Sequence, residues 1–118
     1  MPTYRGATGR LFDWGNKSQT SPANNFIVEQ ARALPEREKV NVVALGALTN
    51  VASALLDAPD IISKVRLYGL GSSYDFEAGT MKNTAFNSVM DIQAIDVILN
   101  RPVERPTLFS TTLRWPLI

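Results

Sequence analysis

The chain has no cysteine and no histidine among its 118 residues. Without cysteine it forms no disulfide, carries no thiolate nucleophile and offers no sulfur ligand to zinc or an iron–sulfur cluster. Without histidine it has no imidazole base, which excludes a Ser-His-Asp triad and a His-ligated transition metal. Chemistry is left to carboxylates, hydroxyls, amides and lysine. Charge of one sign is equally scarce, 12 Lys and Arg standing against 11 Asp and Glu for a formal charge of +1. That balance lacks the basic excess that captures a phosphate backbone, so nucleic acid is not an expected partner. Long hydrophobic runs are missing too. The longest uncharged stretch, Val40 to Leu56, is interrupted by Asn41, Gly46, Thr49 and Asn50 and falls short of the roughly 18–20 apolar residues of a membrane span. Residues 1–12 hold Arg5 and Arg10 but no apolar run of the signal-peptide kind. No membrane partner is expected, and the cytoplasm is the expected location.

What is present is ordinary globular material: 45% of the residues are hydrophobic and 19% charged, enough for one core and one domain. Residues 1–20, rich in Gly, Thr and Asn, read as loop with a short strand at Thr3–Arg5. Ser21 then caps a helix with Pro22 at its first position, and Ala23, Phe26, Ile27, Ala31 and Leu34 form one apolar stripe before Pro35. Val40–Leu45 (VNVVAL) is a β-branched, nearly continuous apolar run, as expected of a parallel strand covered on both faces. A second helix over Asn50–Leu56 follows, capped by Thr49 or Asn50 and closed by Asp57-Ala58-Pro59. Asp60–Ser63 reads as a helical turn and Val65–Tyr68 as a second strand, with a Gly/Ser-rich loop after it.

Asp91 caps a third helix whose buried side comprises Ile92, Ala94, Ile95, Ile98 and Leu99, and Arg101-Pro102 ends it. Val103–Leu113 supplies a further strand that Pro106 keeps from being a complete edge, and the apolar terminus Trp115-Pro116-Leu117-Ile118 calls for a cover. The order strand, helix, strand predicts an α/β fold, a Rossmann-like parallel sheet with flanking helices. It has an α/β core over 21–103 and an incomplete strand or tail over 104–118. Open sheets of this kind bind ligands at the carboxyl ends of their strands, which here are Gly46–Asn50 and Gly69–Asn87.

The turn Gly46-Ala47-Leu48-Thr49-Asn50 is neither a Walker A loop nor GxGxxG, and by itself it reads equally as a helix cap. Taken with its surroundings it is more specific. The run Val42-Val43-Ala44-Leu45-Gly46-Ala47-Leu48-Thr49-Asn50-Val51-Ala52, with Pro59 and Lys64-Val65 after it, resembles the strand and LTN turn of the nucleoside hydrolase family (inosine/uridine-preferring type). Tyr4-Arg5-Gly6-Ala7 is similar to that family's RGA segment and Ser21–Arg32 to its following helix. Phe86-Asn87 with Asp91 and Ala94 matches FN-x3-D-x2-A, so order and spacing agree over about residues 3–103. The resemblance implies a nucleoside-hydrolase-like domain, incomplete relative to the family fold, acting in calcium-dependent hydrolysis of the N-glycosidic bond of ribonucleosides. It implies that Thr49 gives its backbone carbonyl to calcium, that Asn87 contacts a ribose hydroxyl and that the chain forms a homo-oligomer; Asn83 is close enough in sequence to Asn87 to share its pocket, or else is ordinary loop polarity.

The sequence departs from the family at Ala85, where many members have Glu, and at Tyr68-Gly69-Leu70-Gly71, where they have Met-Gly-Gly. It has neither the family's DxDxxxDD cluster nor its His-Asp pair. Little or no turnover is therefore expected of this chain alone. The alternative is a non-catalytic truncated or degenerate relative that binds a small sugar-containing ligand or a partner chain. A third reading is an unrelated flavodoxin-like module binding an anion at Gly46–Asn50. Among other candidates, Asp57 and Asp60 read as solvated charges. Asp75 and Glu77 read as a loop at the rim of the site or as surface residues, and Tyr74, Phe76 and Phe86 as packing or base-stacking aromatics.

Overall fold

In the computed structural model, which describes residues 1–11, 17–75, 77–82, 90–100 and 107–110, helices and strands alternate. The order is α1 (Pro22–Ala33), β1 (Val40–Ala44), α2 (Thr49–Asp57), a 3-10 helix (Pro59–Lys64), β2 (Val65–Asp75), β3 (Thr80–Lys82), α3 (Ile92–Asn100) and β4 (Thr107–Ser110). Residues 3–5 form no strand. The Arg5 carbonyl instead accepts the Ala23 amide at 3.0 Å, and Tyr4 stacks on Phe26 with ring centroids 4.3 Å apart, so this segment lies along α1.

Helix α1 starts where local chemistry dictates. The Ser21 hydroxyl accepts the Asn24 amide at 3.3 Å and the Asn24 side chain accepts the Ser21 amide in return, a capping box built with asparagine. At the other end Lys64 donates to the carbonyls of Leu34 (2.6 Å) and Pro35 (3.0 Å), placing a cation where the helix dipole is negative.

Strand β2 is central. It pairs parallel with β1, Val40 opposite Val65 through Ala44 opposite Gly69, and parallel with β4, Tyr68 opposite Thr107. The Gly/Ser-rich segment expected to be a loop is the continuation of β2, because Ser73–Asp75 find ladder partners in Thr80–Lys82 of an antiparallel hairpin. The hairpin turn includes Gly79 at φ 66°, a left-handed conformation that glycine adopts without steric cost. Asp75 therefore ends a strand rather than lying in a loop.

The expectation that β1 is covered on both faces is corrected by the structure. Val40, Val42 and Ala44 are half-buried and share a face with the buried Val65, Leu67 and Gly69 of β2. The alternate residues face outward, Val43 being 66% and Leu45 76% exposed. A short apolar run cannot show whether one face or two will be covered. Here the core gathers Leu48, Val51, Leu55, Ile61, Ile95 and Ile98 from the helices against Val65 and Leu67, all on one side of β2.

Helix α2 is the central helix, buried from Val51 through Leu55. Its small Ala52, Ser53 and Ala54 suit close packing, and the buried Ser53 hydroxyl accepts the Gln19 amide at 3.0 Å. It begins at Thr49, its N-cap position is Leu48, and no side chain caps it. The reading of Thr49 or Asn50 as cap is thus wrong, because both side chains bond distant segments instead. Asp91 does cap α3, its Oδ1 accepting the Ala94 amide at 3.0 Å. Ala94, Ile95 and Ile98 are buried as expected, whereas Ile92 is 60% exposed. At 3.6 residues per turn Ile92 stands about 110° from the centre of the face those three define. The side chain of Leu99, residues 101–106 and residues 111–118, with Trp115–Ile118, lie outside the described residues. No helix among the described residues is long and apolar enough to cross a membrane.

Candidate functional site

A cleft of about 380 Å³ opens beside the start of α2, where β1 delivers the chain into the turn. One wall is Ala47 and Thr49. The second is the amino-terminal segment Ala7, Thr8, Gly9 and Arg10, and the third is Met90, just before α3. The carboxyl end of β1 is where an open α/β sheet is expected to receive a ligand.

The walls are tied together by side chains. Asn50 Oδ1 accepts the Ala7 amide at 2.8 Å. Gly6 lies so close that a Cβ there would meet Asn50 Nδ2 at 2.8 Å, which accounts physically for glycine beside that contact. Thr49 donates its hydroxyl to Asp91 Oδ2 at 2.6 Å, and the same oxygen accepts the Leu11 amide at 3.1 Å. Asp91 is 1% exposed. Its carboxylate joins the amino-terminal segment, the first turn of α2 and the first turn of α3.

Of the residues singled out by sequence, Thr49 lines the cleft. Asn83 and Asn87 lie outside the described residues, as do Ala85, Phe76, Phe86 and the side chain of Tyr74. Met90, three positions after Asn87, shares the cleft with Thr49. Glu77 is exposed in the β2–β3 turn. Asp57 is at the far end of α2, about 12 Å from Thr49 along a helix rising 1.5 Å per residue. It is exposed, as expected of a solvated charge, and it also accepts from the Ser18 and Thr20 hydroxyls and from Asn24 Nδ2 at 2.9 Å. Asp60 is likewise engaged, taking two hydrogen bonds from Arg32 at 2.8 and 2.9 Å. The ties from Asn50 and Asp91 and the presence of Thr8 and Arg10 in the wall were missed by sequence reasoning. The signal available was the pairing of Gly6-Ala7 with Thr49-Asn50 within one resemblance.

The donor set can be tested against calcium, which takes six to eight oxygen ligands, carboxylates prominent among them. Among the described residues no group of three or more His, Cys, Asp or Glu is arranged to hold a metal. Asp91, the carboxylate bonded to Thr49, spends both oxygens on protein donors. The described residues do not amount to a calcium site.

The crystal structure of an inosine-uridine preferring nucleoside hydrolase from Bacillus anthracis matches this fold with a TM-score of 0.62 and 27% sequence identity, over 76% of this chain and 31% of that one. The chain thus spans about a third of the length of that relative. No curated protein matches the sequence. The family model described as inosine-uridine preferring nucleoside hydrolase matches residues 3–115, nearly the whole chain, and on that match the chain belongs to the nucleoside hydrolase family.

Proposed function

We propose that this chain forms one side of a ribonucleoside cleft and serves hydrolysis of the N-glycosidic bond, with little turnover by itself. The observation that carries this reading is that Thr49 and Met90 line one cleft at the carboxyl end of β1, in a chain whose family match covers residues 3–115. In this reading Asn87, with Asn83 near it, holds ribose hydroxyls, its side-chain amide offering both a donor and an acceptor. A buried hydroxyl left without such a partner costs about 1–3 kcal/mol. The Thr49 carbonyl is the one calcium ligand the reading assigns, so calcium binds this chain weakly. A general base for water is not assigned either. Asp91 does not take that role because protein donors occupy both its oxygens, and loss of a general base typically removes 10²–10⁴-fold in rate. The cytoplasm is the location this reading assumes. The exposed Val43 and Leu45 of β1 favour a second property, self-association into a homo-oligomer.

The test is titration of the chain with inosine and uridine followed by amide NMR, alongside an assay of released ribose with and without calcium. Expected are shifts at Ala47–Asn50 and Met90 at millimolar nucleoside and roughly tenfold weaker binding for Asn87→Ala, equivalent to about 1.4 kcal/mol. Ribose release should be slow or absent. Calcium at its own Kd adds only about 0.4 kcal/mol of stability, so it should barely move the melting temperature. Amides around the turn that ignore both nucleosides would reject the proposal.

A further inference from the structure

Ala7–Leu11 is a five-residue strap fastened at both ends to the same turn of α2. At one end Asn50 takes the Ala7 amide directly. At the other the Leu11 amide bonds Asp91, which is itself held by Thr49, the residue next to Asn50. Between the two fastenings Thr8, Gly9 and Arg10 line the cleft, and Gln19 Nε2 supports the strap at the Arg10 carbonyl, 2.9 Å away. The spacing between strap and turn is therefore set by two side chains, one of which belongs to a third segment.

Asp91 does more than cap a helix. Capping uses Oδ1, on the Ala94 amide, whereas Oδ2 takes the Leu11 amide and the Thr49 hydroxyl. We infer that Asp91 is a positioning residue for the ribosyl cleft, fixing the width between the strap and the Thr49 turn. This rests on the ribonucleoside reading above. The carboxylate is required by a count of donors. Asparagine has a single acceptor oxygen, so in either orientation its NH2 group would face the Ala94 amide or the Leu11 amide, donor against donor. Thr49 is required for the same geometry, since its hydroxyl is the link from Oδ2 to the turn, and serine would keep that link where valine would not.

The experiment compares the wild-type chain with Asp91→Asn, Thr49→Val, Thr49→Ser and the Asp91→Asn/Thr49→Val double variant. One arm measures inosine affinity at a temperature where all are folded, and the other measures amide hydrogen exchange without ligand. Expected are five- to tenfold weaker inosine binding for Asp91→Asn and for Thr49→Val, and a double variant no worse than the weaker single, because both substitutions loosen the same connection of strap and turn to α3, at one or other of its bonds. Thr49→Ser should stay within twofold of wild type. Exchange should rise at Thr8–Arg10 in Asp91→Asn and Thr49→Val, although no described hydrogen bond joins those amides to Asp91. If Asp91→Asn does not fold, Thr49→Val and Thr49→Ser carry both arms. Wild-type affinity in a folded Asp91→Asn or Thr49→Val variant, or exchange altered at Leu11 and Ala94 alone, overturns the inference. If the wild-type chain binds no inosine, the ribonucleoside reading fails and the exchange arm alone decides whether Asp91 sets the strap.

Discussion

The side chains that organise this protein are small polar ones with partners far along the chain. Ser21 is legible in the sequence because its cap bond reaches only to Asn24. The second role of Asn24 is not legible: fully buried, it donates to Asp57, which is 33 residues on and takes the Ser18 and Thr20 hydroxyls as well. Nothing in local spacing signals a pairing of that length. Two substitutions separate the roles. Asn24→Ala removes the returning half of the capping box and the bond to Asp57, and should cost about 1–2 kcal/mol. It should appear as a lower urea midpoint with an unchanged slope. Asn24→Asp keeps an acceptor for Ser21 but turns a carboxylate oxygen toward Asp57, so it should destabilise at least as much. A milder effect for Asp than for Ala would show that the link to Asp57 contributes nothing.

At the scale of elements, sequence reading succeeds where one segment decides its own shape and fails where a neighbour decides. Helix α1 and the cap of α3 follow from Ser21, Pro22 and Asp91. The extension of β2 depends on β4 pairing with Gly69–Ser72 and on β3 pairing with Ser73–Asp75, and the covering of β1 depends on where the helices go. Another such neighbour effect ties α1 to the 3-10 helix, through Arg32 and Asp60 at 2.8 Å with both side chains more than half exposed. The hydrogen bond from Arg32, aided by its charge, holds the Asp60 carboxyl below its ordinary pKa. A carboxyl lowered in the folded state contributes stability above its unfolded pKa and loses it as pH falls through the folded value. Melting temperatures of wild type and Arg32→Gln should therefore differ slightly near neutral pH and converge in acid. The gap should shrink in high salt, as for any exposed pair. A gap that persists below the folded carboxyl value would assign the effect to the packing of the arginine stem.

At the scale of the molecule, the family and its α/β plan were legible because several short motifs keep their order along the chain. The cleft was legible only in part. Thr49 was named, but the strap, Asn50 and Asp91 meet across separations of 42 to 80 residues, which only the folded chain discloses. The same plan turns Val43 and Leu45 of β1 outward, 66% and 76% exposed. Among the described residues only β2 pairs with β1, and residues 40–56 carry no charge, although edge strands are ordinarily guarded by charges, proline or bulges. Val43, 66% exposed with Tyr68 opposite it in the ladder, is the residue on which self-association should turn. Burying it would contribute about 1 kcal/mol per copy, hence about 2 kcal/mol in a symmetric pair and roughly a thirtyfold change in Kd. Sedimentation equilibrium should show a weight-average mass that climbs with concentration for the wild type. Val43→Lys, which places a charge at this exposed position without touching the core, should lower that mass toward the monomer value while leaving the melting temperature nearly unchanged. Val43→Thr, similar in shape and less apolar, should fall between them. A wild-type mass fixed at the monomer value across the concentration range would remove the oligomer from the proposed function while leaving the cleft untouched.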